Sequence, residues 1–486
     1  MNPSPLYIDG VWRAGGGDTV AVLNPATLEP VGAISEATPA EIDTALQAAA
    51  RAFPAWRDTP PARRAEALKA VSKLLEERAE KIARLMCAEQ GKPVNEALGE
   101  MRKLAAIFTF YAEEATRIPG QIIANDSDAY QSLVVREPVG VVAAISPWNY
   151  PAELVGWKAA AGLAAGCTMV VKPPELTPLT PLEIARCIDD AGLPAGVLNM
   201  VTGAGSEVGQ YLVESPLVAK IAFTGSAEVG LKIQRSCRDI KKLSLELGGN
   251  CPMLVTENAD LDSAVRGAAR RSFRNMGQIC IAVNRIYVAA PVYAEFVEKL
   301  AAAADELVVD NGLDNPAADL GPMAAAEPLD KTRAHLADAL ERGARLVAGG
   351  KRPPGAKFAK GYFFRPTVLA DCDHSMRVMR EETFGPLVGV APYPTLEQAV
   401  ALANDSPYGL AAYAYTRHLD EMRFVSRRLD CGSVAINNVD AGIINAPYGG
   451  RKQSGIGYEH GREGLMEYLN IKHIRLRFDE PGVSGA

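Results

Sequence analysis

Cys280, Glu246 and Asn149 are residue types that can together run acyl chemistry. A thiolate attacks carbonyl carbon. A carboxylate takes a proton from water. An amide N–H holds a developing oxyanion. Cys280 closes the segment Phe273-Arg-Asn-Met-Gly-Gln-Ile-Cys280, after a helical stretch and before the β-prone Asn284-Arg-Ile-Tyr-Val288. Glu246 lies in Leu245-Glu-Leu-Gly-Gly-Asn250, at a strand end beside a flexible Gly-Gly. Asn149 lies in Ser146-Pro-Trp-Asn-Tyr-Pro151, at another strand end. A lone cysteine is more often a small buried hydrophobe, so the question is whether the three ends meet. Ligands collect at the carboxyl ends of strands in open parallel sheets, and convergence of thiol, carboxylate and amide is expected there.

The elements that would position them follow from periodicity. Residues 39–118 read as mostly helical, with apolar positions at Ile42, Ala45, Leu46, Ala49 and Phe53, then Leu68, Val71, Leu74 and Leu75. Thr38 with Glu41 three residues on is a capping-box pattern. Segment 121–137 carries turn-prone Asn125-Asp-Ser-Asp128 between β-prone stretches and predicts a hairpin. Short apolar runs at 140–145, 168–171, 197–201, 219–223 and 242–247 alternate with helix-compatible stretches. Strands without polar alternation, joined by helices, predict a parallel sheet covered on both faces. A second α/β region runs from about 252 to 434, with strands at 252–255, 284–288 and 432–436 and helices near 261–275 and 291–307. The tail from about Leu469 is β-prone and charged.

The stretch Lys220-Ile-Ala-Phe-Thr-Gly-Ser-Ala-Glu-Val-Gly230 reads as strand, tight turn and helix start. A glycine at such a turn admits a pyrophosphate close to the backbone, and the helix start offers free N–H groups. Taken alone, Gly225 and Ser226 fit an ordinary structural turn as well as a phosphate site. Leu231 and Lys232 do not supply the Lys-Ser/Thr pair of a P-loop, and no GxGxxG is present here.

Composition narrows the classes. The chain has 486 residues, 48% hydrophobic and 22% charged, with net charge −7. At roughly 150 residues per domain, two to four domains are expected. No basic stripe suggests nucleic acid. The longest apolar run, between Lys158 and Lys172, is Ala- and Gly-rich and falls short of the about 20 residues a membrane span needs, so it reads as buried core with no membrane partner. Residues 1–17 lack the basic-then-apolar pattern of a secretory signal. The eight cysteines are dispersed and the five histidines show no HxxxH spacing, so neither disulfides nor a metal are expected, and a reducing cytoplasm is.

Seven segments, in order, resemble the aldehyde dehydrogenase superfamily along essentially the whole chain. They are Pro147-Trp-Asn-Tyr-Pro151, Lys172-Pro-Pro-Glu175, Phe223-Thr-Gly-Ser226, Glu246-Leu-Gly-Gly249, Gly277-Gln-Ile-Cys280, Glu382-Thr-Phe-Gly-Pro386 and Pro447-Tyr-Gly-Gly-Arg-Lys-Gln-Ser-Gly455. The resemblance implies an NAD(P)⁺-dependent oxidation of an aldehyde through a thioester on Cys280. Asn149 and the Cys280 backbone N–H would form the oxyanion hole, Glu246 would activate the hydrolytic water, and Lys158 with Glu459 matches a proposed proton relay. The cofactor contacts implied are Ser146, Pro147, Trp148, Lys172, Glu175, Gly205, Phe223, Gly225, Ser226, Val229, Leu247, Glu382 and Phe384. Glu175 can accept from both adenosine-ribose hydroxyls and repels a 2′-phosphate, so NAD⁺ is expected over NADP⁺. The implied fold is α/β: a Rossmann-type cofactor domain from 1–119 and 138–250 (with about 450–468 returning to it), a catalytic α/β domain at 251–449, and a small β arm from 120–137 and 469–486. The arm implies a homodimer or homotetramer, since an unpaired strand edge tends to find a partner.

The nucleophile segment is closest to the succinate-semialdehyde dehydrogenase branch. Arg274, six residues before Cys280, matches an arginine that holds the substrate carboxylate there. That branch usually has a second arginine before the lysine at 158, where this chain has Trp157, and often a second cysteine where it has Ala282, so no thiol switch is expected. Trp157 would suit an apolar or aromatic stretch of substrate. An acidic semialdehyde such as succinate semialdehyde, or a bulkier one, is the leading expectation. The rivals are a general or aromatic aldehyde dehydrogenase, a coenzyme-A-acylating enzyme (which typically lacks the carboxylate at 246), and a non-catalytic protein that kept the fold.

Overall fold

A computed structural model describes residues 2–478; the part of the expected arm at 479–486 lies outside the described residues. Helix formation in the first region follows the sequence signals. Thr38 caps the helix Pro39–Asp58, with its side chain accepting from Glu41 N–H and the Glu41 carboxylate accepting from Thr38 N–H at 2.8 Å. Pro61–Glu77, Ala79–Gln90 and Val94–Ala115 complete a helical layer. Its buried face packs on the helix Glu153–Ala165, which is buried along most of its length. That helix and the strand Thr168–Lys172 after it form the apolar run read as core. No described helix is long and apolar enough to cross a membrane.

Two large sheets organise the chain. The first has eight strands in the order Val11–Arg13, Leu6–Ile8, Leu198–Met200, Thr168–Lys172, Val141–Ile145, Val218–Thr224, Lys242–Glu246, Gly455–Ile456. Its five inner strands are parallel, with antiparallel pairs at both edges. All five residues of Val141–Ile145 and of Thr168–Lys172 are buried, as a sheet covered on both faces requires. Gly455–Ile456 pairs back onto Leu245 and Glu246, so a late segment closes the edge beside Glu246.

The second sheet has seven strands: Arg345–Ala348, Thr367–Ala370, Leu387–Tyr393, Val283–Ala289, Cys251–Val255, Ala411–Tyr415, Ser433–Ile436. All but the first are parallel to their neighbours, and the sheet carries its own apolar core. The expected hairpin is present as Gln121–Ile123 against Tyr130–Pro138, with Asn125 Oδ1 accepting from the Ser132 hydroxyl at 2.9 Å. Leu469–Arg477 pairs along the whole of Tyr130–Pro138, making a three-stranded sheet with exposed Ile122, Ile123 and Ile471.

Candidate active site

The strands of the first sheet run toward the second and end there. Ile145, Thr224 and Glu246 stand at their carboxyl ends, followed by the loops that carry Asn149, Gly225 and Gly248. Cys280 does not come from a carboxyl end. It precedes Val283–Ala289, so it lies at the amino edge of the second sheet, as do Glu382 and Phe384 before Leu387–Tyr393. The expected convergence at carboxyl ends therefore holds for the amide and the carboxylate, and the thiol reaches them from the opposite body.

The turn that presents Cys280 is held under strain. Asn275, Met276 and Gly277 all have positive φ (49°, 58° and 68°), costly for the two that are not glycine. Buried polar contacts hold them. Asn275 Oδ1 accepts from Gln90 Nε2 at 3.0 Å, and its Nδ2 donates to the Asn149 carbonyl at 2.9 Å. Gln278 Nε2 donates to the Asn275 carbonyl at 2.9 Å and its Oε1 accepts from Ala324 N–H at 3.0 Å. The Asn149 loop is fixed from its other side. Lys92, fully buried against Glu100 at 2.5 Å, also donates to the Asn149 carbonyl at 2.9 Å. Glu100 in turn accepts from Ala152 and Glu153 N–H at 2.9 and 3.1 Å.

Asn149 Nδ2 donates to the Gln278 carbonyl at 2.8 Å. An amide nitrogen has two N–H groups, so this bond fixes one and leaves the other for a ligand. The Tyr448 hydroxyl lies 3.1 Å from Cys280 Sγ. Burial pushes the Cys280 thiol up to about 12; the Tyr448 contact opposes this, and the Glu246 and Glu382 charges add to it. Glu246 is buried, and neither carboxylate oxygen has a hydrogen-bond partner among the described residues. Burial holds its proton well above the usual carboxylate range; Glu459 adds to the shift and Lys158 opposes it. Lys158 and Glu459 form a buried pair at 2.8 Å, with Lys158 also donating to Thr224 Oγ1 at 2.5 Å.

Cys280, Asn149 and Thr224 line two cavities at once. One, of about 400 Å³, also holds Glu246, Trp157, Tyr448, Glu459 and Arg274. Trp157 stacks on His460 at 3.6 Å between ring centroids, and His460 on Tyr448 at 4.7 Å. Arg274 is paired with Glu96 at 3.0 Å, and the Tyr150 hydroxyl donates to the same carboxylate oxygen at 3.0 Å. The other cavity is a cleft lined by Pro147, Trp148, Gly225, Ser226, Leu247, Glu382 and Phe384. Trp148 and Phe384 meet edge to face at 5.4 Å, and Glu382 accepts from Gly249 N–H at 2.9 Å. Ser226 caps the helix Ala227–Ser236 by accepting from Val229 N–H at 3.3 Å, which engages Val229 through its backbone while its side chain is exposed. Leu247 packs against the Gly230 backbone, and Phe223 lies under Gly225, where a Cβ would come within 2.3 Å of its ring. Lys172, Glu175 and Gly205 form a separate group: Lys172 is 3.4 Å from Glu175, which accepts from Gly205 N–H.

These residues fit a dinucleotide. Among the described residues, buried Lys172 has only the Pro173 carbonyl at 3.3 Å and Glu175 for partners and the buried Ser146 hydroxyl has none, and the Ser226-capped helix end lines the cleft beside Gly225. Tyr448, His460, Thr224, Lys92 and Glu100 were not singled out by sequence reasoning. Tyr448 falls inside a quoted segment, but an isolated tyrosine signals core as readily as site.

Comparison with known proteins gives one consistent picture. The model of the aldehyde dehydrogenase family matches residues 12–474. The chain is similar to a succinate-semialdehyde dehydrogenase [NADP(+)] of Escherichia coli, 44% identical, covering 98% of this chain and 99% of that protein. It is similar to a glutarate-semialdehyde dehydrogenase of Pseudomonas aeruginosa, 43% identical over 97% of each. Among solved structures, an NADP-dependent enzyme of E. coli superposes with a TM-score of 0.95 at 42% identity, covering 98% of each chain.

Proposed function

The chain belongs to the aldehyde dehydrogenase family, and from that premise we propose that it oxidises an acidic semialdehyde to the carboxylic acid through a thioester on Cys280. The observation that carries this is the position of Cys280 on both cavities, one lined by Glu246 and Arg274 and the other by Ser226, Glu382 and Phe384. Cys280 as thiolate forms a bond to the aldehyde carbon, and the oxygen becomes an alkoxide. The free Asn149 N–H and the Cys280 backbone N–H receive that charge. NAD(P)⁺, when bound, supplies the hydride acceptor for the oxidation. Glu246, ionised, then takes a proton from water, whose oxygen attacks the thioester carbon as the Cys280 thiolate leaves. Lys158 and Glu459 relay that proton away from Glu246. The body built on the first sheet holds the cofactor through Lys172, Glu175, Gly205, Gly225 and Ser226, with Ser146, Pro147, Trp148, Phe223, Val229 and Leu247 shaping the cleft, and Glu382 and Phe384 reach it from the second. The body around the second sheet supplies the nucleophile.

Arg274 supplies the cation for the distal carboxylate, exchanging its bond to Glu96 for the substrate. Glu175 favours NAD⁺ over NADP⁺. Eight cysteines without a disulfide suit a reducing cytoplasm, and the exposed strands of the three-stranded sheet suit pairing with a second copy; light scattering that returns a monomer would overturn that assembly. The test of activity is reduced-cofactor formation with succinate semialdehyde, a longer acidic semialdehyde, butanal and benzaldehyde, each with NAD⁺ and NADP⁺. The acidic pair should exceed the neutral pair at least tenfold in kcat/KM, with NAD⁺ ahead. A preference for butanal or benzaldehyde would overturn the acidic substrate and make the Trp157–His460–Tyr448 stack the better guide.

A further inference from the structure

The cavity that holds Arg274 contains a second guanidinium. Arg271 lies one helical turn earlier, in the last turn of Leu261–Phe273, and lines the same space. A cation in a last turn is often there for the helix dipole, exposed to solvent. Arg271 is not exposed: its side chain is 8% accessible.

Its partners are incomplete. One Nη donates to the Val439 carbonyl. The nearest carboxylate, Asp440, is 3.5 Å away and is already held by Arg270 through two contacts at 2.9 and 3.3 Å. Arg271 Nε is buried with no acceptor among the described residues. The Tyr413 ring lies 6.0 Å from the guanidinium carbon, at the edge of cation–π range. A buried guanidinium with an unmade hydrogen bond and a shared counter-ion is costly unless an anion completes it. Its planar fork suits a carboxylate or sulfonate.

We propose that Arg271 is a specificity-determining residue that, with Arg274, receives the anionic end of the substrate, and that Asp440 competes with the substrate for it. The proposal rests on the acidic-semialdehyde reading. It separates this site from a single-arginine clamp, because two guanidiniums lining one cavity would offer donors to both oxygens of one carboxylate.

The experiment is the ratio of KM for glutarate semialdehyde to KM for butanal, in wild type, Arg271→Met and Asp440→Asn. Arg271→Met should raise the ratio at least tenfold through KM for the acid, with kcat changing less. Asp440→Asn should lower it about threefold, a direction that loss of a structural ion pair to Arg270 does not produce. A ratio that stays put in Arg271→Met while Arg274→Ala raises it overturns the role of Arg271 and leaves the acidic reading standing. If Arg271→Met does not fold, Asp440→Asn decides: an unchanged or higher ratio overturns the proposal. Wild type with no preference for the acid overturns both.

Discussion

Glu246 holds its proton tightly in the free site, because it is buried with no hydrogen-bond partner and faces the charge of Glu459. It can act as a base only after losing that proton, and the buried Lys158–Glu459 pair, whose charges act on it, is the relay proposed above. Glu246→Gln keeps the shape and removes the base. The first turnover should survive, giving a burst of NADH near one per active site, and steady turnover should fall by about 10²-fold or more. Stopped-flow absorbance reads both phases. A slow linear trace without a burst would move Glu246 to a step at or before oxidation. The three central side chains were legible because each sits in a short segment with its own character: thiol after Gly-Gln-Ile, carboxylate before Leu-Gly-Gly, amide after Pro-Trp. Tyr448 and His460 were not. They reach the site by meeting Cys280 and Trp157 across 168 residues of chain or more, and nothing local marks them.

At the scale of elements, the parallel strands of the first sheet were readable from short runs rich in apolar residues, interrupted by single polar ones such as Asn199, Lys220 and Ser244. Four of the seven strands of the second sheet were not: Arg345–Ala348, Thr367–Ala370, Leu387–Tyr393 and Ala411–Tyr415. Ala411–Tyr415 is Ala-rich, and alanine is depleted in strands generally. Leu387–Tyr393 contains Gly389 and Pro392, which read as breakers. Gly389 is there because a Cβ would come within 2.6 Å of Met379 Sδ. The short N-terminal strands Leu6–Ile8 and Val11–Arg13 also escaped, being only three residues each. The turn that leads into Cys280 is the element whose conformation matters most. Gly277 has φ +68°, and a Cβ there would lie 2.2 Å from the Gly385 carbonyl oxygen, on the segment that carries Glu382 and Phe384. Gly277→Ala adds left-handed strain of about 1–2 kcal/mol and overpacking of about 1–3 kcal/mol. The variant should lose stability in urea unfolding and lose kcat by at least tenfold, because Cys280 and Glu382 shift together. Wild-type kcat in a merely destabilised variant would show that the turn does not set the chemistry.

Across the whole molecule, the site exists because two separately cored sheets meet carboxyl edge to amino edge, and that junction buries many ionisable groups. Their acid response has opposing signs. Burial lowers His335 from 6.5 to about 4 and His460 from 6.5 to about 3. A depressed histidine contributes stability that is present above the unfolded value of 6.5 and is lost as pH falls toward the folded value. Burial raises Glu89 from 4.5 to about 7, so its contribution is present below 4.5 and is lost as pH rises toward 7. Between pH 7 and pH 5 the two kinds of group oppose each other, and the slope for wild type alone does not isolate either. His335 can be separated. It is buried between the Thr383 hydroxyl at 3.0 Å and the Glu381 carboxylate at 3.2 Å, flanking Glu382 on both sides. Gln at 335 retains a hydrogen bonder on a helix and cannot titrate. At pH 5 the depressed imidazole costs about 2 kcal/mol relative to pH 7, from roughly 1.5 pH units at 1.36 kcal/mol each. His335→Gln should therefore gain about that much on wild type when urea unfolding is compared at pH 7 and pH 5, whatever its stability at pH 7. Parallel curves for the two proteins would mean that His335 takes up its proton inside the fold, and that the Glu381 carboxylate outweighs its burial.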